Sequence, residues 1–523
     1  MEEKNKTPLY IGIAVAVGIL LGSILNFNNR SGFVFSRSAE EAKIKRLIDY
    51  IQYDYVDPVD TEYLLDGAIS HVINKLDPHS VYFTKEELQQ ENEQFQGNFV
   101  GIGVQFVMNN DSVVITKILK GGPSETIGLK PSDRILIANK DSLSGVGLNS
   151  NAVIRVLKGE PETNIKLTVY RPSEDTEKEF RIVRGEVPIK SVTAHYMLNN
   201  NTGFIKIERF ARTTYDEFKA ALTDLKEQGM TKMVLDLRNN PGGFMDIANN
   251  IADEFLEKGK LIVFTKNKKG DIIKDFATEE GDFEDGEVYI LLNENSASAS
   301  EIIAGALQDN DKGTIIGRRS FGKGLVQQTM DLGDGSAVRL TISRYYTPTG
   351  RSIQKPYDLN KSEEYYNEFY KRFENGELTS ADSIKVNDSL KFVTPKGKIV
   401  YGGGGIVPDI FVPLDTTMYI DRRYSIGLPR FSFEYIDTHR EELQKYDVES
   451  FIADFDKDGA ITQTYLKHLD IVEYEISDYK RQIIRRAVKE SIAQGLFDDN
   501  EFHQVIRGHD KMINKVLELE NTN

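Results

Sequence analysis

Three times between residues 173 and 410 a strand-like apolar run is followed by a helix-like one. These are TGFIKIERF then YDEFKAALTDLKEQG, KMVLDLRNN then FMDIANNIADEFLEKG, and EVYILLNEN then SASEIIAGALQDN. Alternation of this kind restricts the segment to a mainly parallel sheet covered by helices. Ligands on such sheets bind beyond the carboxyl ends of the strands. Two glycine- or serine-rich segments fall at those ends, NNPGG at 239–243 and NSASAS at 295–300, and their convergence is the first sign of a site.

The rest of the chain divides around this α/β segment. At 523 residues the chain exceeds one core, so two to four domains are expected. Residues 1–37 read as anchor and linker: 7–29 carries no charge, follows Lys4 and Lys6, and is long enough for residues 8–27 to sit in a bilayer. The lysines favour an N-inside orientation in an inner membrane, with everything after Arg30 facing the periplasm or exterior. A cleaved signal peptide and secretion to the periplasm is the alternative, although no clear A-x-A site follows the apolar run. Residues 38–96 have helical periodicity, and 97–172 change to short β-branched runs broken by glycine and asparagine. The α/β segment occupies 173–414, with a polar, Tyr- and Glu-rich insertion at 355–400 that reads as a surface elaboration. Residues 415–523 are again largely helical.

A net charge of -16 and the lack of a basic stripe argue against nucleic acid as partner. Cysteine is absent, which excludes disulfides, thiol catalysis and cysteine-ligated zinc. The stretch DFDKDGAIT from Asp454 imitates the first half of a calcium loop, but its twelfth position is Tyr465 in place of glutamate, so an acidic turn before a helix is the better reading. GGGG at 402–405 lacks the Lys-Ser/Thr of a phosphate loop, and no H-E-x-x-H pair occurs.

Ser298 and Glu301 fit the S-x-x-E capping box, which alone would account for a serine there. The same position also suits a nucleophile, since a strand-to-helix turn gives exposure and the helix N-terminus gives amides and a favourable dipole. A base is then needed, and none of the seven histidines lies between His195 and His439. Lysine serves if burial lowers its pKa from about 10.4 toward 7 or 8. Lys323, flanked by Gly322 and Gly324, leads into a strand-like run in which Lys323, Leu325 and Gln327 would share a face, letting Gln327 orient the amine. A solvated turn lysine is the plain alternative. In the 97–172 module, Gly101 and Gly103 would let residues Gly101, Ile102, Gly103 and Val104 turn amides toward a peptide carboxylate while the next strand offers its edge, although an ordinary turn reads the same way.

Two resemblances sharpen these readings. GNFVGIGVQF, GGPSETIGLKPSDRILIANK and NAVIRVLKG, in this order, resemble a PDZ domain, which implies a groove that grips peptide C-termini. NENSASASEIIAGALQDN followed by RRSFGKGLVQQ resembles the carboxyl-terminal processing peptidases, or tail-specific proteases. LDLRNNPGG, RYYTPTGRSIQ, GGGGIVPDI, YVDPVD and LDPHSVYFT extend the likeness over about residues 40–415. The resemblance implies Ser298 as nucleophile, Lys323 as base, Gln327 as its partner, and an oxyanion hole from the amides of Ala299 and of Gly242 or Gly243. The implied architecture is a multidomain α/β protein. A crotonase- or ClpP-like serine-lysine protease core carries an inserted PDZ domain, an N-terminal transmembrane anchor and helical terminal regions. It implies no cofactor, protein substrates with flexible C-terminal tails, and is compatible with a homo-oligomer. A non-catalytic PDZ-type adaptor of the envelope, or another hydrolase on the same core, are the rival readings.

Overall fold

The computed structural model describes residues 39–109, 111–145, 149–278, 281–359, 362–417, 419–471 and 476–522. The chain forms two compact units, 1–72 and 73–523. The expected anchor at 8–27 lies outside the described residues, and among those described no helix is long and apolar enough to cross a membrane. The described part of the first unit is helical: Ala39–Tyr53, then Thr61–Ile73, whose last residue falls in the second unit.

The second unit is built on a six-stranded sheet in the order Val192–Met197, Thr202–Ile207, Lys232–Asp236, Glu287–Leu292, Gly313–Gly317, Ile410–Phe411. Only the first pair is antiparallel. Helices Thr214–Glu227, Met245–Asp253 and Ala299–Asp309 connect the middle strands, as the alternation predicts. They pack on one face, against Ile205, Leu235, Ile290 and Ile315. The intervening residues Phe204, Val234, Leu291 and Ile316 face the other way, against Met512, Ile513 and Val516 of the C-terminal helix Lys511–Thr522. Burial on both faces explains why these strands read as unbroken apolar runs. Before that helix, residues 424–505 gather a separate apolar cluster around Phe431, Phe451, Tyr465 and Val488.

A second, antiparallel sheet stands beside the first. In it Ala337–Tyr346 pairs with Val81–Phe83, Leu261–Asn267 and Leu325–Asp331. This strand brings two sequence-distant segments together, the loop before Val81 and the loop before Leu325.

The PDZ-like module has a five-strand path Val104–Asn109, Ser112–Ile118, Arg134–Ala138, Asn164–Arg171, Thr176–Val183, so it does not end at 172 as expected. Pro172 opens a short turn closed by Asp175 at φ 49°, and the chain returns as a hairpin. Gly185–Pro188 then pairs with Asn98–Gly101, closing the module at both ends of its chain. The insertion at 355–400 is exposed over most of its described length, as expected of a surface elaboration, but Tyr365, Arg372 and Leu378 are buried and anchor it. A few of its charges form ion pairs inside the fold. Arg319 is held by Glu377 at 2.7 and 3.0 Å and by Glu368 at 3.3 Å, so the insertion packs on the segment leading to Lys323.

Candidate active site

Ser298 sits between the strand Glu287–Leu292 and the helix Ala299–Asp309 with φ 57° and ψ -115°. A non-glycine residue rarely holds this conformation, and such strain collects at functional turns. The turn is fixed from below by Asn240, which is fully buried. The Asn240 carbonyl accepts from Ala297 N at 3.0 Å and Ser300 Oγ at 3.1 Å, while its side chain donates to the Ile207 carbonyl at 2.9 Å. From above, Glu301 Oε2 accepts from Ser298 N at 2.9 Å, the reach-back half of the expected capping box.

That carboxylate does more than cap. Its Oε2 also accepts from Lys323 N at 2.8 Å, and its Oε1 accepts from Gly322 N at 2.7 Å and from Ser320 Oγ. Glu301 is fully buried, which pushes its pKa up to about 7 against the pull of these donors. The Tyr345 hydroxyl lies 3.1 Å from Ser298 O and 2.7 Å from Lys323 O, sharing one proton between the two carbonyls. Ser298 and Lys323 are therefore tied to each other at both amide and carbonyl.

Lys323 Nζ donates to Gln327 Oε1 at 2.8 Å. Burial, and next the charge of Arg339, pull the amine down to about 8. The pairing with Gln327 arises differently from the expected alternation. The strand begins at Leu325, which points into the core, and a bulge between Val326 and Gln327 shifts the register. Among the described residues, Lys323 Nζ has Gln327 as its hydrogen-bond partner, and no direct bond to Ser298 Oγ is formed. Catalytic hydrogen bonds often tighten only once substrate is bound.

The two glycines of NNPGG take different places. Gly242 has φ 105°, and a Cβ there would lie 2.7 Å from Ser298 Cβ and 3.0 Å from Ala299 N, so the turn touches the serine only because a side chain is missing. Its own amide is spent on Asn240 Oδ1 at 2.8 Å. Among the described residues no acceptor meets the amides of Gly243 or Ala299. Of the three amides, those of Ala299 and Gly243 are therefore left without an acceptor among the described residues.

In the PDZ-like module Gly103 adopts φ 78° and packs on Gly122, where a Cβ would meet its Cα at 2.9 Å. The loop carbonyls are used, Ile102 O by Ser124 N at 2.9 Å and Gly103 O by Leu119 N at 3.0 Å. Val104–Asn109 is an edge strand, and the helix Ser150–Leu157 belongs to the same core. Asp456, in the imitation calcium loop, caps the next helix by accepting from Ile461 N at 2.8 Å. Among the described residues no cluster of His, Asp or Glu is arranged to hold a metal ion.

Sequence reasoning missed His79. Its carbonyl accepts from Gln327 Nε2, and its ring is 2.6 Å from the Tyr365 hydroxyl. Only its place beside the LDP turn, two residues before a strand, could have flagged it.

Residues 201–359 match the model of peptidase family S41, 100–182 that of the PDZ domain, and 26–87 that of the activating protease CtpB N-terminal domain. Residues 425–498 match a family of unknown function. A probable CtpA-like serine protease of Staphylococcus aureus is 37% identical over 351 residues, 64% of this chain and 70% of that protein. Its counterpart in Staphylococcus haemolyticus is 35% identical over 66% of this chain and 69% of that protein. A solved photosystem II D1 C-terminal processing protease is 27% identical over 61% of this chain and 88% of that one, at a TM-score of 0.33, too loose a superposition to bear on the geometry. With the peptidase and PDZ matches falling where the strained serine turn and the five-strand module stand, the chain belongs to the carboxyl-terminal processing serine peptidases of family S41.

Proposed function

We propose that this peptidase is an ATP-independent endopeptidase of the cell envelope, anchored in the inner membrane by residues 8–27, that cuts the flexible C-terminal regions of other proteins. Ser298 is its nucleophile, Lys323 its base and Gln327 the group that orients the base. The observation that carries this reading is a half-buried lysine whose amine is drawn down to about 8, on a loop bound by the same carboxylate that binds the strained serine. An amine with that pKa is neutral in about a tenth of molecules at pH 7, against a few in ten thousand for an ordinary lysine.

Neutral Lys323 takes the Ser298 proton as Oγ attacks the scissile carbonyl. The oxyanion develops against the amides of Ala299 and Gly243 at the N-terminus of the helix. Collapse passes the lysine proton to the leaving amine and leaves an acyl-enzyme. Water, deprotonated by Lys323, then releases the acyl group and regenerates the hydroxyl. The five parallel strands and their helices support a crotonase- or ClpP-like core. The edge strand Val104–Asn109 and the loop Gly101, Ile102, Gly103 and Val104 support a groove that receives the substrate tail as an added strand. A position outside the cytoplasm follows from the N-terminal charge pattern.

Ser298→Ala and Lys323→Ala, each in the full chain, test the assignment. Both are expected to abolish turnover of a disordered protein substrate, with Ser298→Ala still retaining its C-terminal peptide. Parental turnover by Lys323→Ala would end the reading.

A further inference from the structure

The orientation of Gln327 decides whether Lys323 is held as a base, and an amide side chain has two ways to sit. Turned one way it offers Oε1 to the amine; turned the other, it opposes one donor with another. The choice is made at its far end. Gln327 Nε2 donates to the His79 carbonyl, which can only accept, so Oε1 is left facing Lys323 Nζ at 2.8 Å. Oε1 can accept from the amine in either protonation state, so it holds Nζ throughout a proton transfer. The backbone of His79 is therefore what sets the amide.

Part of what holds His79 is local. Asp77 Oδ1 accepts from His79 N and Ser80 N, both at 2.8 Å, and the strand Val81–Phe83 ties the next residues to Ala337–Tyr346. The remainder comes from the 355–400 insertion. The Tyr365 hydroxyl meets His79 Nε2 at 2.6 Å with the rings edge to face at 5.2 Å, and the Tyr366 hydroxyl donates to the Pro78 carbonyl. Burial, and next the charge of Lys323, pull His79 down to about 4, so its contact with Tyr365 joins neutral groups across the working range.

Tyr365 is itself fixed from the lysine side. Lys355 Nζ stands 3.9 Å from the centres of both the Tyr365 and Phe321 rings, and Gln354 Nε2 reaches the Tyr365 hydroxyl at 3.4 Å. Gln354 Oε1 accepts from Gly324 N, the residue after Lys323, at 2.8 Å. The contacts close a circuit: Lys323, Gln327, His79, Tyr365, Gln354, Gly324 and back to Lys323.

We propose that Tyr365, supplied by the insertion, is a positioning residue for Lys323, acting through His79 and Gln327. The proposal rests on Lys323 being the base. Loss of the hydroxyl frees the His79 loop, lets the Gln327 amide turn, and leaves the amine without a fixed acceptor. Capture of the substrate tail by the PDZ module is expected to be unchanged, because nothing in the circuit belongs to its peptide groove.

A double-mutant cycle on the full chain in detergent, with fluorescently labelled casein as probe, tests this. Tyr365→Phe is expected to lower kcat about tenfold, a moderate loss for a misplaced catalytic group, with KM nearly unchanged and the rising limb of the pH profile displaced. In a Gln327→Ala background the same change is expected to cost nothing more. His79→Ala keeps the backbone carbonyl but removes the ring. It is expected to match Tyr365→Phe and not to add to it, which keeps the test open if Tyr365→Phe fails to fold. Losses that multiply independently of Gln327, or a kcat at the parental level, would overturn the proposal. An active Lys323→Ala enzyme would instead sink the assignment of the base itself.

Discussion

Lys323 should weaken the fold it serves. Drawing an amine from its ordinary 10.5 down to about 8 means that, at pH 7, the folded state carries a charge it disfavours by about 3 kcal/mol. Lys323→Met keeps the length and apolar bulk of the side chain and removes that charge. It also strands Gln327 Oε1, whose lost hydrogen bond costs about 1 kcal/mol. The expected net is a gain of about 2 kcal/mol. For a core of this size that is about 4–8 °C in the melting transition. The sign with pH follows from the depressed value. Below about 8 the folded and unfolded lysines are both charged and the penalty is complete. Between that point and about 10.5 the folded amine is neutral while the unfolded one still binds its proton, so the parent gains stability as pH rises. The gap between variant and parent should therefore be widest at pH 7 and narrow steadily to pH 10, read by differential scanning calorimetry of both proteins. A variant no more stable than the parent at pH 7, or a gap that widens with pH, would refute the claim that Lys323 is held against its charge.

Turnover of labelled casein should rise about fivefold from pH 7 to pH 8 and less than twofold from pH 8 to pH 9, following the neutral fraction of Lys323. A rate that keeps climbing tenfold per pH unit to pH 10, or an optimum below pH 6, would contradict it. Gly242→Ala places a methyl group 2.7 Å from Ser298 Cβ at a φ of 105°. It should cost at least about a hundredfold in kcat, the scale of losing an oxyanion donor, as followed in the casein assay. Glu301→Gln substitutes an NH₂ for one of two oxygens that each accept two bonds; even turned toward Ser320, whose hydroxyl can accept, it leaves the buried Gly322 N–H facing a donor. The loss should be about 1–3 kcal/mol, visible as a lowered melting temperature together with lost activity.

The parts of this fold that could be read from the sequence are those where burial imposes a period. Strands covered on both faces, such as EVYILL, appear as unbroken apolar runs, and the helices between them as amphipathic stretches. The anchoring residues of the largely exposed insertion are not legible because several of them are charged. Arg372 and Glu377 lie inside the fold and pair at 2.8 Å, yet composition alone assigns such residues to the surface. The end of the PDZ module is not legible because Pro172 sits in a hairpin turn, where a proline signals a bend and says nothing about whether the sheet continues. At the site, Ser298 and Lys323 could be found because serine-rich and glycine-rich turns at strand ends have a local signature. His79, Asn240 and Tyr345 could not, because they act through contacts between segments tens or hundreds of residues apart.

The two readings of Ser298, helix cap and nucleophile, meet in one residue. A capping glutamate ordinarily lies at the surface, where its bond to the helix start adds about 1 kcal/mol. Glu301 is fully buried and divides its four bonds between the serine turn and the lysine loop. A cap alone would gain nothing from that burial, which raises the carboxyl to about 7 and exposes it to protonation under mildly acidic conditions. The cost makes sense if the carboxylate is the joint that holds Ser298 in its strained conformation while it fixes the backbone of Lys323. The capping signature in the sequence is then the visible end of a constraint whose other end, 22 residues on, could only be seen in the folded chain.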